Sequence, residues 1–318
     1  MITGGAGFIG SHLCRALLKK GRSLRIVDNF STGKRENLAQ VLQEHPGQCE
    51  IHEQDIRDLG ELKRLFQGAQ TIYHQAALMS VQKSIEDPLE YNSVNVGGTL
   101  KVLAAARDAG VQKVIFASST SVYGNSEDLP KREDMEPDPS SPYAVTKYVG
   151  ELYCKIYSEI HHLPTLALRY FNVFGPNQDP NSEYAAVVPR FICRALGGEG
   201  PIIFGDGEQS RDFIFVEDVV SANLLAAESD TQGRTLNIAS GKSMTINGLA
   251  GLLNEILALK LKPAYQPARH GDVRDSQADI TRASQLIDFD AKISVREGLC
   301  RTVEWFRKRP DCQTRESH

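Results

Sequence analysis

The sequence predicts an α/β chain built on a doubly wound parallel sheet, followed by a smaller α/β lobe. Three observations predict it. Short β-branched runs alternate with amphipathic stretches over about the first 170 residues, a glycine triplet stands where the first helix opens, and prolines and glycine turns break up the second half. Met1-Ile2-Thr3 leaves three residues before Gly4, where sheet strands usually run about five. A shortened first strand, or a chain lacking its natural start, is expected, with a weaker central strand and no loss of chemistry. Residues 24–27, 49–52, 71–75, 114–117 and 165–170 read as strands, and 11–20, 59–66, 91–109 and 143–160 as helices. Past Tyr170, a strand at 211–216, a helix at 219–227 and a strand at 235–238 lie among Pro176, Pro180, Pro189 and Pro201.

Composition narrows the function classes. The 318 residues carry 36 Lys+Arg against 40 Asp+Glu, a net charge of −4, with 41% hydrophobic and 24% charged residues. This excludes disorder and a disulfide scaffold, and it argues against a nucleic-acid binder that works by neutralising phosphates. No apolar run approaches the ~18 residues of a membrane span, and no secretory leader opens the chain. A cytoplasmic protein without a membrane partner is expected. The six cysteines form no CxxC pair, so reduced thiols are expected. No His, Cys or acidic cluster has metal-ligand spacing, so no metal is expected. His74 reads as a satisfied strand-end histidine.

The triplet Gly4, Gly7 and Gly10 leads straight into a helix. Glycine there lets the backbone approach a pyrophosphate, which the free N–H groups and dipole of a helix start stabilise. Asp28 follows at a strand end, 18 residues after Gly10, where a carboxylate accepts the ribose hydroxyls of NAD and repels a 2′-phosphate. Lys34 and Arg35 nearby would suit NADP instead. The first half is therefore expected to be a Rossmann-type NAD-binding domain, 1–169, and 170–318 a substrate-binding domain, with the strands near 211–216 and 235–238 able to return to the first sheet.

Tyr143 and Lys147 fall at i and i+4, on one face of the helix at 143–160. A free tyrosine titrates near pH ~10, so a tyrosine base needs its phenolate favoured, and a nearby ammonium and a cationic nicotinamide would both do so. Ser118 and Ser119 close the strand at 114–117, at the edge where a parallel sheet binds its cofactor.

Together the glycine triplet, Asp28, Ser119, Tyr143 and Lys147 resemble the extended short-chain dehydrogenase/reductase superfamily. The stretches His74-Gln75-Ala76-Ala77, Arg169-Tyr170-Phe171-Asn172-Val173-Phe174-Gly175-Pro176 and Arg211-Asp212-Phe213 are similar to its nucleotide-sugar branch. The chain most resembles the UDP-hexose 4-epimerase family, in particular bacterial UDP-N-acetylglucosamine 4-epimerases that feed polysaccharide synthesis.

The resemblance implies that Gly4, Gly7, Phe8 and Ile9 face the NAD pyrophosphate, that Asp28, Asn29, Ser31 and Lys34 surround the adenosine, and that Asp55 and Ile56 flank the adenine. It implies that Ala76, Ala77 and Asn95 border the cofactor further along, with Tyr170 near the nicotinamide. Ser119 would bond the sugar 4-oxygen, Tyr143 would be the acid/base, and Lys147 would hold the nicotinamide ribose and lower the tyrosine pKa. Asn172, Arg211 and Arg269 match diphosphate-binding positions, and Asp272 matches a uridine-ribose position. Val187 and Phe204 would form the nucleotide cleft, with Ser80, Gln178 and Ala186 on the substrate side. The helices at 91–109 and 143–160 resemble those that pair into a homodimer.

Four reactions share such a scaffold: 4-epimerisation, 4,6-dehydration, UDP-glucuronate decarboxylation and 4-keto-sugar reduction. Dehydrating or decarboxylating relatives carry an acid two residues before the Tyr123-Gly124 pair, where this chain has Ser121, and a hydroxyl cannot do that acid/base work. The resemblance also implies a gate seven residues past Arg269. That residue is Ser276, small enough to admit an N-acetyl group, while Met79 departs from the small residue of similar enzymes. UDP-GlcNAc/UDP-GalNAc epimerisation is the expectation, with UDP-glucose/UDP-galactose the alternative, then UDP-glucuronate epimerisation or decarboxylation, then a non-enzymatic NAD-sensing protein.

Overall fold

The computed structural model describes residues 1–180, 186–268 and 273–309. β1 (Ile2–Thr3) leads into α1 (Phe8–Lys19), β2 (Leu24–Asp28), α2 (Glu36–Glu44), β3 (Cys49–Glu53), α3 (Leu59–Leu65) and β4 (Thr71–His74). Two short helices follow, α4 (Val81–Glu86) and α5 (Pro88–Tyr91), then a π-helical turn over Asn92–Gly98 and α6 (Thr99–Asp108). β5 (Lys113–Ser119), α7 (Pro142–Ile160) and β6 (Thr165–Tyr170) complete the first half. The rest comprises β7 (Asn172–Phe174), α8 (Val187–Leu196), β8 (Ile202–Phe204), β9 (Ser210–Phe215), α9 (Val216–Glu228) and β10 (Arg234–Ile238). It ends with β11 (Ser243–Thr245), α10 (Ile246–Leu257), β12 (Ala264–Gln266), α11 (Thr281–Ile287) and α12 (Val295–Arg307).

Seven strands in the order β10-β6-β5-β4-β1-β2-β3 form one parallel sheet. Its inner strands, such as β5 and β6, are buried on both faces, as a sheet covered by helices on both sides requires. Ile26, Tyr73 and Ile115 pack with Leu13 and Leu17 of α1 and Val219 of α9. Their neighbours Val27, Ile72 and Phe116 pack on the other face with Leu62 of α3, Val102 and Leu103 of α6 and Tyr157 of α7. Strand order reverses between β4 and β1, and a crevice opens beyond the carboxyl ends there.

The strand expected near 235–238 is β10, which pairs with β6 in this sheet, Leu236 opposite Leu168. The strand expected near 211–216 is β9, which lies instead in a separate three-stranded sheet between β11 and β7. That smaller sheet carries its own core of Phe174, Phe213, Phe215, Phe191, Leu249, Leu253, Leu299 and Phe306.

The helix expected over 91–109 is not uniform. Its start widens into the π turn, where Gly97 and Gly98 lower helix propensity. Asn95 is buried there and binds across the turn: its Oδ1 accepts from Leu78 N at 2.9 Å, and its Nδ2 donates to Leu78 O at 2.9 Å and Thr146 Oγ1 at 3.0 Å. π turns of this kind recur at functional sites. The thiol expectation needs one correction: Cys14, Cys49, Cys154 and Cys300 are free, but Cys193 is disulfide-bonded. Among the described residues, no helix is long and apolar enough to cross a membrane.

Candidate active site

The glycine loop turns because Gly4 adopts φ +72° with its backbone against Ala76: a Cβ on Gly4 would lie 2.6 Å from Ala76 N. Gly7 caps α1 without a side-chain bond to the helix, which leaves the first N–H groups of α1 available to an anion. Asp28, at the end of β2, is buried and holds the loop. Its Oδ2 accepts from Ala6 N and its Oδ1 from Phe30 N, both at 2.9 Å. Burial pushes its pKa up, against these two N–H bonds.

A cleft of about 320 Å³ runs from this loop to the end of β5, and Gly4, Gly7, Phe8, Ile9, Asp28, Asn29, Ser31, Asp55, Ile56, Ala76, Ala77, Tyr143, Lys147 and Tyr170 line it. Two expected cofactor residues are not in its lining. Asn95 spends its amide on Leu78 and Thr146, so it shapes the wall from behind. Lys34 pairs with Asp179 at 2.8 Å. Arg35, a second cation near that end, pairs with Glu53 and stacks its guanidinium 3.9 Å over the Phe30 ring. Arg57, which lines the cleft itself, pairs with Asp55 at 2.9 Å and Glu90 at 3.0 Å, so all three cations have carboxylate partners, which suits NAD over a 2′-phosphorylated dinucleotide. The glycine cradle, the open N-terminus of α1 and a carboxylate at the ribose end fit NAD. Met79 also lines the cleft and stands 64% exposed at its lip.

At the inner end, β5 and α7 bring Ser119, Tyr143 and Lys147 together. α7 starts where it does because Ser141 caps it, accepting from Ala144 N at 3.2 Å, and Pro142 occupies its first turn. Tyr143 N donates to Ser84 Oγ of α4 at 3.1 Å, which sets the start of α7 against the cleft wall. Ser119 Oγ accepts from Ser121 N at 3.2 Å and Ser121 Oγ at 2.9 Å. Its own proton is then left for the Tyr143 oxygen, to which it bonds. Lys147 Nζ donates to Ala117 O at 2.8 Å and lies 5.9 Å from the Tyr143 ring centre.

The electrostatics differ from expectation in one respect. Burial pushes the Tyr143 phenol up to about 12, with only the Ser119 bond acting against it, and burial brings Lys147 down to about 8 while Glu151 opposes this. The protein alone holds a neutral tyrosine beside a lysine that gives up its proton readily. His74 is a structural residue: its Nδ1 pairs with Thr3 Oγ1 at 2.7 Å and its Nε2 with Thr99 Oγ1 at 2.9 Å, and burial lowers its pKa to about 3.

A second cleft of about 390 Å³ lies over the three-stranded sheet, with Asn172, Ala186, Val187, Phe204 and Arg211 among its walls. Arg190 and Arg194 of α8 join Arg211 there among apolar Val173, Phe213 and Ile246, a mixture suited to a base and a diphosphate. Sequence reasoning missed the α8 pair, although arginines at i and i+4 mark one helix face. Four expected substrate residues stand outside this lining, Ser119 being placed beside Tyr143 instead. Ser80 caps α4, accepting from Lys83 N at 3.1 Å. Gln178 Nε2 donates to Val173 O at 3.2 Å. Ser276 is buried beside β9, its N donating to Ser210 O at 3.2 Å. Arg269 and Asp272 lie outside the described residues.

One segment ties α1 and the loop after β2 to the chain that follows β7. His12 of α1 bonds Pro176 O through Nε2 at 2.8 Å, Asn177 Nδ2 donates to Ser11 Oγ at 3.0 Å, and Asp179 pairs with Lys34 at 2.8 Å. The His12 pKa is lowered to about 4, mostly by burial, so the ring is neutral and donates to the carbonyl.

Residues 1–239 match the model of the NAD dependent epimerase/dehydratase family. A solved UDP-N-acetylglucosamine 4-epimerase from Methanobrevibacter ruminantium M1, in complex with UDP-N-acetylmuramic acid, is 44% identical with a TM-score of 0.92, over 96% of this chain and 97% of that one. A UDP-glucose 4-epimerase from Thermotoga maritima, solved with UDP-glucose, is 41% identical with a TM-score of 0.91, over 96% and 98%. The UDP-glucose 4-epimerase of Mycolicibacterium smegmatis is 38% identical over 312 residues, 97% of this chain and 98% of its own.

Proposed function

We propose that this chain, which belongs to the NAD dependent epimerase/dehydratase family, interconverts UDP-N-acetylglucosamine and UDP-N-acetylgalactosamine by inverting C4. The carrying observation is that Tyr143 and Lys147 line the inner end of the NAD cleft with Ser119 beside Tyr143. NAD would be held by the glycine loop, Asp28 and Lys147, and would supply reversible hydride transfer at C4 and a positive charge beside Tyr143. Against that charge Tyr143 ionises, accepts the proton of the 4-hydroxyl, and gives a proton back to the 4-oxygen once the sugar has turned. Ser119 bonds the 4-oxygen throughout, and Lys147 holds the ribose and keeps the tyrosine turned inward. Arg211 and Asn172 hold the diphosphate, with Arg269 and Asp272 completing the nucleotide contacts, so that the sugar turns while the nucleotide stays. The reading divides the chain near Tyr170 into an NAD-binding and a UDP-sugar-binding part.

The N-acetyl preference is supported by the likeness to the Methanobrevibacter ruminantium enzyme, while Ser276, the expected gate, is small but lines neither cleft. UDP-glucose/UDP-galactose is the second reading, favoured by the two relatives that bear that name. Supply of polysaccharide synthesis in the cytoplasm is part of the first reading. Purified protein incubated with UDP-N-acetylglucosamine, without added NAD, should yield UDP-N-acetylgalactosamine in the anomeric NMR signals. Conversion of UDP-glucose alone selects the second reading, and inertness toward both defeats the epimerase assignment.

The reading includes a homodimer. Val145, Leu152, Ile156 and Ile160 fall on one face of α7 and are 44%, 42%, 42% and 67% exposed, with Ile85 and Leu89 nearby at 56% and 81%. An apolar stripe of this extent suits a second copy. The double variant Leu152→Glu/Ile156→Glu should sediment as a monomer where the parent sediments as a dimer, and a parent that is itself monomeric rejects this.

A further inference from the structure

Beneath the Tyr143–Lys147 couple lies a buried ion pair that the reaction does not use. Glu151 sits one helical turn past Lys147 on α7, and Arg169 sits on β6, with side chains 5% and 4% exposed. The pair is bidentate: Arg169 Nε donates to Oε1 at 2.8 Å and Nη2 to Oε2 at 2.7 Å. Ser118 Oγ donates to the same Oε1 at 2.5 Å, and Ser118 is the register partner of Arg169 across β5 and β6. The Arg169 guanidinium also lies 4.6 Å over the Tyr123 ring. Three elements are thereby joined at one carboxylate. Ser118 stands between Ala117, whose carbonyl receives Lys147, and Ser119.

A buried ion pair is weak evidence of stability, because desolvating two charges costs about what their attraction returns. We infer that Glu151, held by Arg169 and Ser118, is a positioning residue that keeps Lys147 protonated and the end of β5 in register with α7. The inference rests on the roles of Tyr143 and Lys147 given above. The groups facing Lys147 set the balance. From α7 come Tyr143 and Glu151, from β5 the Ala117 carbonyl and the Phe116 ring, from β4 a His74 that stays neutral, and from β6 Arg169 behind its partner. Glu151 is the only anion among them, and it opposes the burial that drives Lys147 toward the neutral amine.

The sign follows. Removing the Glu151 charge leaves Arg169 as an unpaired cation and takes away the counter-charge of Lys147, and both favour the neutral amine. In NAD-loaded Glu151→Gln, the alkaline limb of the rate–pH profile should move to lower pH by about one unit. The profile is taken with whichever of UDP-N-acetylglucosamine and UDP-glucose the parent converts. Phenolate absorbance, read as the difference from Tyr143→Phe and needing no substrate, should show Tyr143 ionising at lower pH, because Lys147 is already neutral where the phenol titrates and the unpaired Arg169 cation favours the phenolate. Glu151→Gln/Arg169→Met removes both charges and leaves no buried ion unpaired, so it guards against failure to fold and should move both readouts the same way by less. A rate lowered equally at every pH with neither readout moved, or failure of both variants to fold, would overturn the positioning role. A Tyr143→Phe that still turns over overturns the underlying site reading instead, so the two failures are distinguishable.

Discussion

Tyr143→Phe should turn over about 10²–10⁴-fold more slowly than the parent while keeping its fold and its NAD. The range is what a positioned acid/base contributes, and the substitution removes only the oxygen that does that work. The ring stays, so its packing in the cleft wall is kept, and Tyr143 N still donates to Ser84 Oγ. The lost bond to Ser119 is a neutral one, worth about 1 kcal/mol of stability. Turnover by NMR, the absorbance of retained NAD and a thermal melt separate the three quantities. Near-parental turnover in a folded, NAD-loaded variant would remove Tyr143 from the chemistry.

Gly10→Ala should have an equally large effect by a different route. A Cβ at Gly10 would stand 2.1 Å from Gly4 O and 2.8 Å from Gly5 Cα. Both are backbone atoms of a loop pinned by Gly4 against Ala76 and by Ala6 N on the Asp28 carboxylate, so no rotamer change relieves the clash. The loop must open, which spoils the alignment of the first N–H groups of α1. Expected are protein purified without NAD and a stability loss of about 1–3 kcal/mol, seen as a fall in Tm of about 2–4 °C per kcal/mol. Gly251→Ala is the control. It lies in α10 with nothing within 4 Å of its added Cβ, and it should be neutral or stabilising by up to about 1 kcal/mol. Bound NAD in Gly10→Ala would show that the close approach is not needed.

The features written in local pattern were legible in the sequence: the alternating strands and helices, the loop opening on α1, and a Tyr and Lys one turn apart on α7. What was not legible depends on distant partners. Asn95 reads as one more polar residue of a helix, yet it is turned aside by Leu78 and Thr146, 17 and 51 residues away. Lys34 reads as a cofactor ligand until Asp179 is brought to it. Spacing shows a lysine near Tyr143 but not that both groups are desolvated together. Glu151 carried a signal that went unread. It stands four residues past Lys147 on the same face, and such an acid requires a partner when buried.

The contacts of Ser11, His12 and Lys34 with residues 176–179 fasten the start of α1 and the loop after β2 to the chain that leaves β7. The glycine-loop turn at the first cleft is thus also an anchor for backbone that joins β7 to α8 at the second cleft. If filling one side firms that shared turn, each ligand raises the affinity of the other by the same factor, since a coupling free energy is reciprocal. Substrate in place then lengthens the residence of the cofactor. An enzyme that reoxidises its own NAD every cycle gains from this, because its working life no longer depends on capturing a fresh cofactor molecule.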